Sequence, residues 1–216
     1  MICNSVNKSC RYSLSFLLLI ITSFTPHQDD GWVSLFDGET LDGWRASEHP
    51  ATFSVEDGAM VVHGDRAHLF YEGPVEDHDF TNFEFKAQVM TTPGSNSGMY
   101  VHTQYQDEGW PSQGYEIQVN NSHTDWRRTG SLYGIDDVKK QYVPDNEWYT
   151  EHIIVDGNRI TVKINDETVV DYTEPEDVER EEGSEGRVLS HGTVALQGHD
   201  PESKVYYKDI MVKPLD

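Results

Sequence analysis

Gly94-Ser-Asn-Ser-Gly-Met-Tyr-Val-His-Thr-Gln104, followed after a loop by Gly114-Tyr-Glu-Ile-Gln-Val-Asn120, decides how this chain is read. In the second segment Tyr115, Ile117 and Val119 alternate with Glu116, Gln118 and Asn120. That period of two marks a strand with one face in a core and the other carrying a carboxylate and two amides. In the first segment Met99, Val101 and Thr103 alternate with Tyr100, His102 and Gln104. Two such strands side by side, apolar faces together, place His102, Gln104, Glu116 and Gln118 on one surface. Such a surface offers the donors and acceptors that a polyhydroxylated ligand needs.

The same punctuation extends outward in both directions. Upstream, Phe83, Phe85, Ala87 and Val89 alternate with Glu84, Lys86, Gln88 and Met90, and Asp57-Gly58 sits between short apolar runs as a hairpin turn. The segment from Gly31 to Trp44 holds two Asp-Gly turn signals and reads as an edge piece tucked onto a core, with Trp32, Trp44 and Trp148 as anchors. Downstream, Trp148 to Val155, Arg159 to Ile164 and Thr168 to Tyr172 form a meander, and Gly192 to Gln197 with Lys204 to Val212 form a closing hairpin. Residues 121–146 lack either period and read as a long loop at the rim of a site. The acidic run from Glu174 to Glu185 reads as a solvated loop without chemistry. No spacing of three and four persists over three turns, so the class is all-β. A two-sheet jelly-roll sandwich accommodates this many half-buried strands over one core, and a propeller would require repeats that are absent.

Lys8 and Arg11 precede an apolar run from Leu14 to Ile21, the pattern of a secretory signal over residues 1–28 that is too short for a confident membrane span. The chain is then expected to be exported, periplasmic or extracellular, with no membrane span after cleavage and one domain over 29–216. Both cysteines, Cys3 and Cys10, lie within that signal, leaving a domain held by its core and not by disulfides. Removing two basic and no acidic residues changes the net charge from −22 to about −24, which makes nucleic acid an unsuitable partner.

Several motifs then appear together and in order. Leu35-Phe36-Asp37-Gly38, Leu41-Asp42-Gly43-Trp44, Asn96-Ser97-Gly98, Gly114-Tyr115-Glu116-Ile117-Gln118, Trp148 and Leu196-Gln197-Gly198-His199-Asp200 resemble the bacterial 3-keto-disaccharide hydrolase domain across about 32–215. The resemblance implies a concanavalin A-like jelly roll with a site on its concave face, acting on a glucoside already oxidised at C3. It also implies a pathway link to a sugar 3-oxidoreductase that supplies such a substrate. One departure is visible: many relatives carry arginine on the strand after Asn-Ser-Gly, where this chain has His102.

A C3 ketone acidifies the C2 hydrogen, so cleavage can proceed by C2 deprotonation, elimination and hydration. Glu116 is the first candidate base and His102 the second proton-transfer group. Asn96, Gln118 and Gln197 suit sugar hydroxyls or an enolate oxygen; Tyr100 and Tyr133 add ring faces, as could Tyr105, Trp110 and Trp126; and His199 sits at the rim. A divalent metal on His102, Glu116 and His199 is left open, with no compact ligand spacing behind it. Two other readings stand beside this one. A lectin-like module would use the same face without chemistry, and a conventional glycoside hydrolase needs a second carboxylate, for which Glu84 is the sequence candidate.

Overall fold

Period-two alternation builds almost everything that can be seen. The computed structural model describes Met1 and residues 30–216, so the expected signal over 1–28 lies, Met1 aside, outside the described residues. Gly31–Asp216 forms one compact unit. Its strands are β1 (Val33–Ser34), β2 (Trp44–Ala46), β3 (Phe53–Glu56), β4 (Ala59–Val62), β5 (Ala67–Tyr71), β6 (Phe83–Thr91) and β7 (Ser97–Thr103). They continue as β8 (Tyr115–Val119), β9 (Tyr149–Asp156), β10 (Arg159–Ile164), β11 (Glu167–Thr173), β12 (Thr193–Gly198) and β13 (Val205–Pro214). Among the described residues, no helix is long and apolar enough to cross a membrane.

The strands form two antiparallel sheets, as the all-β jelly-roll reading expects. One has eight strands in the order β11-β10-β9-β6-β13-β4-β3, with β1 added on β13; the other has five, in the order β2-β5-β12-β7-β8. Phe83, Phe85, Ala87 and Val89 of β6, Ile153 and Val155 of β9, and Tyr207 of β13 face Met99 and Val101 of β7, Ile117 and Val119 of β8, and Leu196 of β12 in a shared core. β6 and β9 thus spend one face on the core and leave the other outside, whereas β4, β5, β7 and β12 are buried along their whole length.

The tryptophans divide. Trp44 is buried, its indole N–H donates to the Leu35 carbonyl at 2.7 Å, and its ring meets Tyr71 edge-on at 5.3 Å. Trp148 is not a core anchor: it is 37% exposed and Lys208 lies over its ring at 4.2 Å. Trp32 is half-buried on the outer face of the large sheet under Lys86. Both sit in irregular backbone beside a strand, where alternation gives no direction to a ring.

Phe85 is fully buried at the centre of the large sheet. Truncation to alanine should cost about 3–5 kcal/mol by leaving a cavity. Urea unfolding of Phe85→Ala followed by tryptophan fluorescence measures it, and a loss below about 1 kcal/mol would mean that the core is not shared between the sheets as described.

Candidate active site

The outer face of the five-stranded sheet carries the candidate site. Register pairs Tyr100 of β7 with Glu116 of β8, and Gly98 with Gln118. With the apolar partners of these residues in the core, Tyr100, Glu116 and Gln118 stand on the opposite face, joined by Gln197 of β12. The cavity above them has a volume of about 410 Å³.

Glu116 is the centre of a hydrogen-bonded set. The Tyr100 hydroxyl donates to Oε2 at 2.8 Å, and Gln197 Nε2 donates to Oε1 at 2.8 Å while also reaching the Tyr100 oxygen at 3.0 Å. Burial raises the carboxyl above the usual carboxylate range, against the pull of these donors and of the Arg187 and His199 charges, so removal from water prevails. Gly98 makes the placement possible: a Cβ there would lie 2.8 Å from Glu116 Oε1.

The amides are oriented as well. Gln118 Nε2 donates to Asn96 Oδ1 at 2.8 Å. Gln118 Oε1 and Gln197 Oε1 are buried without a donor among the described residues, which leaves both as acceptors for ligand hydroxyls. Tyr133 reaches the pocket because main-chain hydrogen bonds tie the long loop to β8. Gly130 N–H donates to the Gln118 carbonyl, Gln118 N–H to that of Ser131, and Tyr133 N–H to that of Glu116, closing the free edge of β8. Arg127 and Arg128 of this loop hold its own shape through Asp125, Asp137 and Asn120.

His102 does not join Glu116, a correction to the alternation expected of β7. The register against β12 shifts between Thr193 and Ala195, and His102 adopts φ of +54°. This bulge turns the ring away from the pocket toward Phe83. Nε2 donates to the Thr81 carbonyl at 2.9 Å, and Nδ1 accepts from Ser190 N–H at 3.1 Å. Burial lowers its proton affinity, and the ring is a neutral tie between loops. A metal set built on His102, Glu116 and His199 is therefore broken apart. Glu84 is also remote: it is on β6 of the other sheet, facing outward and bonded to His152 at 2.8 Å. Among the other ring candidates, Trp110 lines the pocket, Tyr105 packs on Phe70 under Arg45, and Trp126 stacks with Arg127 outside the cavity.

The acidic run is not the idle loop expected of it. Glu174 is buried, accepts from the Tyr115 hydroxyl, and receives Leu189 N–H at 3.1 Å. Arg180 donates to the hydroxyls of Tyr115 at 2.5 Å and Tyr172 at 3.0 Å, and to the Arg187 carbonyl at 2.7 Å. Gly114 N–H bonds the Gly186 carbonyl at 2.9 Å, an approach so close that a Cβ on Gly186 would lie 2.1 Å from the Ser112 oxygen. These ties hold Gly183, Ser184 and Arg187 against the cavity. Arg187 was hidden in the sequence because the tie depends on a tyrosine hydroxyl 72 positions earlier and on two glycines.

A polar cavity with one carboxylate, amides and aromatic walls thus stands on the outer face of the five-stranded sheet. The family model described as the 3-keto-alpha-glucoside-1,2-lyase-like domain matches residues 31–213, and the chain belongs to that family. It is 28% identical over 174 residues to the 3-keto-disaccharide hydrolase of Bacteroides thetaiotaomicron, covering 68% of this chain and 60% of that protein. The chain thus spans about 60% of the length of this curated relative. Among solved structures, a candidate glycosyl hydrolase from Parabacteroides distasonis aligns with a TM-score of 0.73 at 24% identity, covering 86% of this chain and 94% of that one. The carbohydrate-binding module CBM66 from Bacillus subtilis aligns at 0.54 with 13% identity, covering 85% and 95%. The family expected from the motifs, and the sandwich, are borne out.

Two consequences follow for Glu116. Because its folded proton affinity is raised, the penalty for the charged form is absent at low pH and develops as pH rises through the raised value. Glu116→Gln should therefore match the parent in stability below about pH 4 and exceed it at neutral pH, by about 1.4 kcal/mol for each pH unit by which titration is displaced. Thermal unfolding across pH measures this, and a difference that is constant with pH would overturn the assignment. Gly98→Ala should displace the carboxylate with little loss of melting temperature but lower any turnover at least about tenfold, since small misplacements are costly.

Proposed function

We propose that the chain cleaves the glycosidic bond of 3-keto-glucosides or 3-keto-disaccharides in an exported setting, by C2 deprotonation, elimination and hydration. The observation that carries this reading is the single carboxylate among the described residues lining the cavity, half-buried and raised in proton affinity. Two-carboxylate glycoside hydrolysis needs a second acid across the sugar, and Glu84 lies on the far side of the sandwich.

The sequence of bonds is as follows. Glu116 takes the C2 proton, and the pair left behind forms an enolate whose negative oxygen is the former C3 ketone. Asn96 and Arg187, which line the cavity, supply donors for that oxygen, while Gln197 spends its N–H groups on Glu116 and Tyr100. The enolate then re-forms the ketone, C1=C2 becomes a double bond, and the C1–O bond breaks. The proton that Glu116 has acquired is available to the departing oxygen, so one group serves as base and then acid. Addition of water across C1=C2 gives the free 3-keto-sugar. Trp110 and Tyr133 offer ring faces to the sugar.

The test supplies purified protein with 3-keto-trehalose, 3-keto-sucrose and their unoxidised parents, and follows release of 3-keto-glucose. Cleavage of the keto-sugars alone is expected, with Glu116→Gln lowering kcat by about 10²–10⁴-fold. Equal cleavage of the parents would overturn the mechanism, and saturable binding of glycans with no product would indicate a lectin-like module. The acid limb of kcat/KM should lie above the ordinary carboxylate range. Tyr100→Phe should move that limb further up, because the lost hydroxyl favours the charged form of Glu116. A downward move would remove Tyr100 from this role.

A further inference from the structure

Three metal-ligating side chains from two distant parts of the chain meet beside the cavity. His123 belongs to the loop after β8, and His199 and Asp200 form the turn between β12 and β13. One donor atom from each lies within 4.8 Å of the other two. The two imidazoles are 5.5 Å apart between centroids, and His199 Nδ1 is 2.6 Å from Asp200 Oδ2. All three residues are half-buried, so this is not a patch of acids on a solvated face.

The supports of the cluster are built in. His123 N–H donates to Asn120 Oδ1 at 2.8 Å, which fixes the loop, and His123 Nδ1 accepts from Asp125 N–H at 3.1 Å and lies 3.3 Å from Asn96 Nδ2 at the cavity wall, donors whose place an ion on Nδ1 would take. Asp200 Oδ1 accepts from the N–H groups of Glu202 at 2.8 Å and Ser203 at 3.0 Å, and Ser203 Oγ donates to Oδ2 at 3.0 Å. His199 faces the cavity itself, as does Asn96. An ion with bonds of about 2.0–2.2 Å holds neighbouring donors about 3 Å apart, so modest side-chain rotations close the set. In the His199–Asp200 pair, a cation would take the place of the shared proton.

We propose that His123, His199 and Asp200 bind one first-row divalent transition-metal ion at the cavity rim. Two imidazoles and one carboxylate suit zinc, manganese, cobalt or ferrous iron, and suit the oxygen-preferring calcium and magnesium poorly. Three ligands leave coordination positions open toward the cavity. Resting on the function proposed above, the exogenous ligand is the adjacent carbonyl and hydroxyl oxygens of a 3-keto-sugar, which chelate as a pair.

The full chain is stripped with chelator, dialysed against zinc, manganese or cobalt, and assayed by elemental analysis, with visible absorption for the cobalt form. One ion per chain is expected. His123→Ala and His199→Ala should each weaken binding by at least about 10–100-fold, as changes around metal ligands commonly do. Asp200→Asn tests the carboxylate, and because Asp200 also caps its turn, the two histidine variants decide the matter if it unfolds. His191→Ala removes the imidazole of an exposed pair with Asp79 and should bind as the parent does. No bound ion, or equal binding by both histidine variants, overturns the site. Metal-free protein that still cleaves keto-sugars at the parent rate removes the ion from the reaction while leaving the proposed function intact. Stoichiometric binding lost in both histidine variants, with no cleavage of any keto-sugar, supports the site and removes the function.

Discussion

A carboxylate withdrawn from water on the outer face of a sheet must be met by donors, and that requirement organises the centre of this molecule. Glu116 could sit over β7 only because Gly98 has no side chain there. Tyr100 and Gln197 supply the donors, and their own strands flank the site, with β7 hydrogen-bonded to both β8 and β12. Phe70 and Ala195 pack with Tyr100 on the same face, making the surroundings apolar enough for burial to outweigh two hydrogen bonds and the nearby positive charges. A surface glutamate without this setting would titrate as a solvated acid and make a poor base near neutrality.

The chain buries a second carboxylate, and the contrast is informative. Glu151 lies fully buried on β9, both oxygens without a partner among the described residues, and burial raises its proton affinity strongly. It faces the closed core between the sheets, where no substrate can arrive. Both groups are pushed toward the neutral acid, but Glu116 has two side-chain donors and opens on the cavity. Raised proton affinity therefore does not by itself distinguish a site from a buried core acid.

Much of this was legible in the sequence. Strict alternation placed Tyr100, Glu116 and Gln118 on one face, and the hairpin signals marked the fold class, because period two is a local property of the backbone. Gln197 and Asn96 also reached the cavity that the motifs implied. What was hidden depended on contacts between distant residues. The lock of Glu174 with Tyr115 and Arg180 converts a charge run into a cavity wall and brings up Arg187, although composition there reads as solvent. His123 faced no recognisable partner in sequence until the turn at His199-Asp200 closed on it.

The departure at His102 carries a further step. As a polar residue on a strand beside the site it reads, by alternation, as part of the site's chemistry. In this chain the bulge gives position 102 a left-handed backbone and aims the ring at Thr81 and Ser190, so the histidine there bears on how the sheet edge joins its loops. The permanent positive charge at the cavity arrives instead on Arg187, from a loop held down by the close approach of Gly186 to Ser112. A single extra residue in one strand thus separates what strand periodicity joins, and the group that compensates electrically comes from the segment whose composition suggested it least.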